Sequence, residues 1–246
     1  MSHQTVIDQL RDLRLPGMVE AYAQQVGDSV FTSLPFEKRV QMLIEAEASH
    51  RDTARYHRIL KLAKLKFVAA PEDVDYGSRR NLDKTVMAEL LTCSWIGDQT
   101  NVLITGATGT GKTWLACALA VQAARKGISV TYRRVGRLLE EMASGHEDGT
   151  ISRQRSQLAR MQLLLLDDFG LSAMSPQGRS DLLEILDDRV GVASTIVMGQ
   201  MPVKEWHGFI NDPAVADAIL DRVIHSSAKI ELRGESMRQA RRRGGQ

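Results

Sequence analysis

The sequence has few cysteines, no long apolar run and little charge imbalance, and each shortage removes a class of protein. Its two cysteines, Cys93 and Cys117, stand far apart without a C-x-x-C pattern. That spacing argues against a zinc site or a disulfide framework and fits a reducing compartment. The longest apolar stretches, Trp114 to Ala124 and Leu163 to Leu166, are too short to span a bilayer. Met1-Ser2-His3-Gln4 is polar and has no signal-peptide core, so a cytoplasmic protein with no membrane partner is expected. Net charge is only +2 over 246 residues, so composition alone does not mark a nucleic-acid binder. A hydrophobic fraction of 43% is enough for the core of one large or two modest domains.

What is present centres on Asn101 to Ala120. The apolar run Asn101-Val102-Leu103-Ile104-Thr105 delivers Gly106-Ala107-Thr108-Gly109-Thr110-Gly111-Lys112-Thr113 into an Ala-rich helical pattern. This is G-x-x-x-x-G-K-[ST] in its required context of strand, loop and helix. The glycines let backbone N–H groups form a nest for phosphate oxygens, and the helix N-terminus adds its positive dipole end. Lys112 is placed for the β/γ-phosphates and Thr113 for Mg²⁺, which implies ATP or a related triphosphate as cofactor.

A phosphate loop only holds its ligand, so hydrolysis needs acid from a second strand. Met161 to Gly170 supplies it: four leucines suit a strand buried on both faces, and Asp167-Asp168 would emerge at the ligand crevice. Asp167 is expected to hold the metal's water shell and Asp168 to polarise the attacking water. A solvated strand end or a helix cap is the bland alternative for this pair. Gln200 follows a third strand, Thr195-Ile196-Val197-Met198, and either senses the γ-phosphate or is a surface turn.

Residues 1–70 read as helical, with a break at Pro16-Gly17 and a long segment opened by Pro35. The spacing predicts a small all-helical module, either an arm that binds DNA or a protein partner or a unit that simply packs against the main domain. Ala70 to Gly77 combines proline, glycine and acid and reads as a linker. Asn81 is the expected cap of a helix reaching Trp95, and Tyr76 is a candidate for stacking on the base. Strands alternating with helices then predict a right-handed doubly wound α/β domain over residues 71–246. Arg133, Arg134 and Arg137 fall at the start of the helix after the second strand, and Gly145 to Thr150 reads as a turn. Basic residues also gather in Arg51 to Lys66 and from Arg222 onward, where seven arginines and lysines face two glutamates. Each run is either a solvated face or a polyanion contact.

The order of these features resembles the AAA+ ATPases, a P-loop parallel-sheet family, and more narrowly the IstB-type transposition helpers related to DnaC helicase loaders. The resemblance is carried by the phosphate loop, Leu165 to Leu171, Gln200 to Trp206, Asp217 to Arg222 and Ile230 to Arg238, together with Leu15-Pro16-Gly17-Met18. It implies an ATP-dependent homo-oligomer on double-stranded DNA that recruits a transposase. Arg222 would be an arginine finger reaching a neighbouring subunit's γ-phosphate, and Arg238 a sensor arginine of the same chain. Arg133, Arg134 and Arg137 stand where initiator-type relatives turn a helix toward DNA, which implies backbone contacts without sequence preference.

Two departures accompany the resemblance. Asp168 stands where AAA+ proteins at large have Glu, which implies slow hydrolysis. Met198-Gly199-Gln200 stands where helpers tend to have Thr-Ser-Gln, leaving Gln200 as the sensor candidate. A helicase loader preferring single strands, a small-molecule kinase, and a nucleotide-stabilised scaffold are the competing expectations.

Overall fold

The computed structural model describes residues 2–77, 80–225, 227–234 and 236–237. The chain divides into two compact units, Met1–Arg58 and Ile59–Gln246, so the boundary expected at residue 70 lies inside the second. The first unit holds α1 (His3–Asp12), α2 (Pro16–Gly27), a 3₁₀ turn (Ser29–Ser33) and most of α3 (Phe36–Ala63), a single helix of 28 residues that finishes in the second.

The break expected at the proline is real, and its cause is visible. Arg14 is left-handed (φ 57°), and Pro16 then occupies the first turn of α2, where its missing N–H costs nothing. Gly17 lies so close to α3 that a Cβ there would sit 2.6 Å from the Ala46 carbonyl oxygen. The Glu47 carboxylate accepts from Gly17 N (2.9 Å) and Met18 N (3.3 Å), so α3 caps α2. Leu13, Val30, Phe36 and Ile44 are exposed, and no apolar side chain among the described residues of this unit is fully buried.

In the second unit a 3₁₀ turn (Pro71–Asp73) lies in the expected linker. It is followed by α4 (Lys84–Leu91), the four-residue α5 (Ser94–Gly97), β1 (Asn101–Gly106), α6 (Lys112–Arg125) and β2 (Val130–Arg134). The remainder runs α7 (Val135–Asp148), α8 (Ile151–Ala159), β3 (Leu163–Phe169), α9 (Pro176–Asp187), β4 (Ser194–Gly199), α10 (Trp206–Ile210), α11 (Pro213–Ile224) and β5 (Ser227–Leu232).

Three expectations are corrected. Asp83, not Asn81, caps α4, its carboxylate accepting from Thr85 N at 2.7 Å; Asn81 is left-handed and donates to the Glu231 carbonyl instead. Arg133 and Arg134 end β2 rather than start a helix, because pairing with Leu166 and Asp167 extends the strand through them. Gly145 lies within α7, and the turn comes at Gly149, whose φ of 76° terminates the helix.

Among the described residues the five strands are all parallel, in the order β2-β3-β4-β1-β5. Leu163 to Leu166 are each at most 1% exposed, as a strand covered on both faces requires. One sheet face packs Leu103, Leu164, Leu166 and Val197 against α7, α9 and α11. The other is covered by α6, apolar almost all round and buried from Leu115 to Val121. Because every strand points the same way, the ends of β1, β2, β3 and β4 open on one edge. That edge carries the phosphate loop, Arg134, Asp167 and Gln200.

Candidate active site

The phosphate loop leaves β1 at Gly106 (φ 146°), where the chain passes so close to β5 that a Cβ would lie 2.2 Å from the Leu232 carbonyl oxygen. Gly109 and Gly111 are also at positive φ, which turns the loop into a nest ahead of α6. Lys112, only 9% exposed, folds over it and donates to Gly106 O (2.6 Å) and Ala107 O (2.9 Å). Burial lowers its pKa, and the charges of Asp167 and Asp168 act against that lowering. Thr110 is fully buried, its hydroxyl donating to Ala107 O, so it braces the loop from within.

Asp167 is the hub of the site. Its carboxylate, on a residue 2% exposed, accepts from Thr113 Oγ1 (3.1 and 3.0 Å to its two oxygens), Tyr132 OH (2.6 Å) and Asp168 N (2.9 Å). Lys66 Nζ lies 3.8 Å from Oδ2. One carboxylate and one hydroxyl, both hard oxygen donors, fit a Mg²⁺ shared with phosphates. No cluster of three His, Cys, Asp or Glu side chains among the described residues would hold a resident metal.

Asp168 has φ 60° at a point where the pairing of β3 with β4 slips. A non-glycine residue in this region is strained, and the strain turns its side chain from the strand toward Arg134, whose Nε donates to Oδ2 at 2.9 Å. Across the crevice Thr108 Oγ1 donates to Gln200 Oε1 (2.8 Å), so Gln200, an exposed residue in a bend after β4, borders the site. The structure thus gathers Thr108, Gly109, Lys112, Thr113, Asp167, Asp168 and Gln200 around one small cavity.

A second cavity, about 600 Å³, opens on the other side of the loop between Phe67, Val68, Trp114 and Met237, with Asp73 and Arg80. Its size and mixed lining suit a nucleoside. Tyr76 does not line it; Lys84 Nζ lies 5.7 Å from the centre of its ring. Arg80, 4% exposed, lies against the loop with Nη1 3.0 Å from where a Gly111 Cβ would be.

Arg222 is not brought to the phosphate loop of its own chain. Its Nε donates to Asp187 Oδ1 (2.6 Å), and its carbonyl accepts from Asn101 at the start of β1. The loop lies beyond the other end of that strand, roughly 17 Å away at ~3.3 Å per residue. Arg238 lies outside the described residues, though Met237 N donates to Gly109 O (2.9 Å) immediately before it. Arg137 borders a groove with Arg134 and Asp168, and Arg133 Nη1 donates to the Tyr132 carbonyl.

Lys66, Arg80 and Tyr132 escaped sequence reading. Lys66 reads as one cation in a basic run, and Tyr132 as an ordinary strand aromatic. Each meets its partner only through the tertiary fold.

A family model described as IstB-like ATP binding protein matches residues 8–244. The chain is 42% identical to the insertion sequence ATP-binding protein y4pL of Sinorhizobium fredii over 243 residues, 99% of each chain. It is 44% identical to the insertion sequence IS1162 ATP-binding protein of Pseudomonas fluorescens over 203 residues, 82% of this chain and 88% of that one. In fold it is similar to the crystal structure of DnaI, with a TM-score of 0.58 at 21% identity over 67% of this chain and 90% of that one. No helix among the described residues is long and apolar enough to cross a membrane. With phosphate loop, acidic strand and parallel sheet in one P-loop AAA+ arrangement, and with a match across nearly its whole length, the chain belongs to the IstB-like ATP binding proteins of insertion sequences.

Proposed function

We propose that the protein is a slow ATPase that assembles with its own copies on double-stranded DNA and recruits a transposase during transposition. The observation that carries this reading is the separation of Arg222 from the phosphate loop of its own chain. An arginine at the opposite end of β1 serves a γ-phosphate only when another copy presents one, and that makes assembly a condition of catalysis.

Within one chain, Thr113 and Asp167 hold Mg²⁺, which supplies charge neutralisation of the triphosphate when bound. Lys112 meets the β/γ-phosphates, and Asp168 orients and polarises the attacking water. Gln200 contacts the terminal phosphate or that water, and Arg238 acts as the sensor arginine. Arg133, Arg134 and Arg137 are the candidate DNA-backbone contacts. The exposed apolar residues of the first unit, Leu13, Val30, Phe36 and Ile44, favour its use as a partner-binding module. The names of the relatives place them in insertion sequences, which favours transposition over helicase loading. The fold shared with DnaI keeps a loader as the second reading.

The test is sedimentation of the full chain with and without ATP and duplex DNA, with Arg222→Ala run alongside for ATP turnover. The proposal expects a large assembly only with both ligands, and an Arg222→Ala protein that binds ATP without hydrolysing it. A wild type that stays monomeric, with turnover unchanged by Arg222→Ala, overturns it. Preference for single-stranded DNA supports the loader.

A further inference from the structure

Among the described residues outside the phosphate loop and the turn into α6, Lys66 alone borders both cavities. On one side it lies beside Phe67 and Val68 at the nucleoside-sized cavity. On the other it faces Asp167, Asp168 and Gln200, where a terminal phosphate would lie beside Lys112 and Thr113.

Its position is fixed by the segment that carries it. Lys64 is left-handed (φ 52°) and stops α3. Ala63 and Ala69 on either side are 0% and 2% exposed. Between these anchors the backbone N–H groups of Lys66 and Phe67 face the buried Cys117 thiol on α6. The backbone therefore passes beside the helix that begins at Lys112. The side chain remains 37% exposed and ends 3.8 Å from Asp167 Oδ2.

Asp167 does not depend on Lys66 alone, because its carboxylate accepts from Thr113, Tyr132 and the Asp168 N–H and also feels the charge of Lys112. Asp168 likewise has Arg134. A terminal phosphate, by contrast, brings oxygens that Lys112 alone does not satisfy. The lysine stem is flexible enough to move its point charge a few ångströms from the carboxylate to a phosphate oxygen.

We infer that Lys66 is a second lysine for the terminal phosphate of the bound nucleotide, and that it separates triphosphate from diphosphate. Once Asp167 engages a divalent cation, Lys66 exchanges that carboxylate for a γ-phosphate oxygen. With a diphosphate it has no phosphate oxygen in reach and stays with Asp167. The inference rests on the assignment of this site to ATP.

The experiment is equilibrium titration of the full chain with fluorescent ATP and ADP analogues in Mg²⁺, for wild type, Lys66→Met and Lys66→Arg, with melting curves to show that all three are folded. Methionine removes a charge-assisted hydrogen bond to phosphate, so Lys66→Met is expected to weaken ATP binding about tenfold or more, with ADP changed less than about threefold. Lys66→Arg, which keeps the charge, is expected to retain the preference for ATP. Equal weakening of both nucleotides, no change, or tighter binding in Lys66→Met overturns the inference, the last because it would make Lys66 only a competitor for Asp167. A wild type that binds neither nucleotide refutes instead the underlying assignment of the site.

Discussion

Tyr132 OH donates to Asp167 Oδ2 at 2.6 Å, joining the middle of β2 to the acidic end of β3. Burial, then this bond, raise the phenol's pKa, so the proton stays on the tyrosine at any physiological pH and the carboxylate stays an acceptor. The carboxylate is therefore aimed by a neighbour whose proton is committed to it. Tyr132→Phe is expected to raise the Mg²⁺ concentration for half-maximal ATP turnover by about tenfold, the usual scale for a lost outer partner of a ligand. Nucleotide binding without Mg²⁺ should be unchanged. A Mg²⁺ titration of turnover, beside nucleotide binding in EDTA, checks both.

Arg134 and Arg137 are expected to separate. Arg134 holds Asp168, whereas Arg137 has no carboxylate partner among the described residues. Arg134→Ala should change DNA-independent turnover at least about fivefold as well as weaken duplex binding, whereas Arg137→Ala should leave that turnover unchanged. Arg137→Ala should weaken duplex binding and reduce its salt slope by ~1. Fluorescence anisotropy against salt, with a phosphate-release assay, distinguishes the two.

Arg189 is 2% exposed and satisfies four acceptors with three nitrogens: Thr195 Oγ1 (3.1 Å), Leu158 O (2.7 Å), Met161 O (2.8 Å) and Ser194 O (2.5 Å). It ties the start of β4 to the turn before β3, far from the phosphates. Arg189→Met fills much of the volume but strands those oxygens, so a loss of about 3 kcal/mol is expected. Urea unfolding measures it, and nucleotide affinity of the protein that remains folded should match wild type.

Burial pushes the Cys117 thiol up from 9.0 to about 11. The folded protein keeps this proton where the unfolded chain releases it. The associated stability is intact below pH 9 and is lost as pH rises toward 11, by at most about 1.4 kcal/mol per unit. The advantage of wild type over Cys117→Ala in urea unfolding should narrow across that window and stay constant from pH 7 to 8.5.

Much of this architecture is legible in the residues because it is written locally. Gly106 to Thr113 names its own loop, and Leu163 to Leu166 names a doubly covered strand. The errors fall where two local signals compete. Asn81 and Asp83 are both good caps, and only the Glu231 carbonyl, 150 residues on, diverts Asn81. Arg133 and Arg134 carry no strand signal of their own and are drawn into β2 by pairing with β3. Lys66 and Tyr132 are invisible for the same reason: their meaning is a partner 101 and 35 residues away.

The two ends of β1 have opposite characters, with the phosphate loop at Gly106 and Arg222 beside Asn101. If the arginine serves the next copy, each subunit is a donor at one end and an acceptor at the other. Such contacts are heterologous and cannot close as a two-fold pair. They build a directional array, either a ring or an open helix. In an open one the terminal acceptor has no donor, so competent sites number one fewer than subunits, and hydrolysis per chain rises with length instead of remaining a property of the protomer.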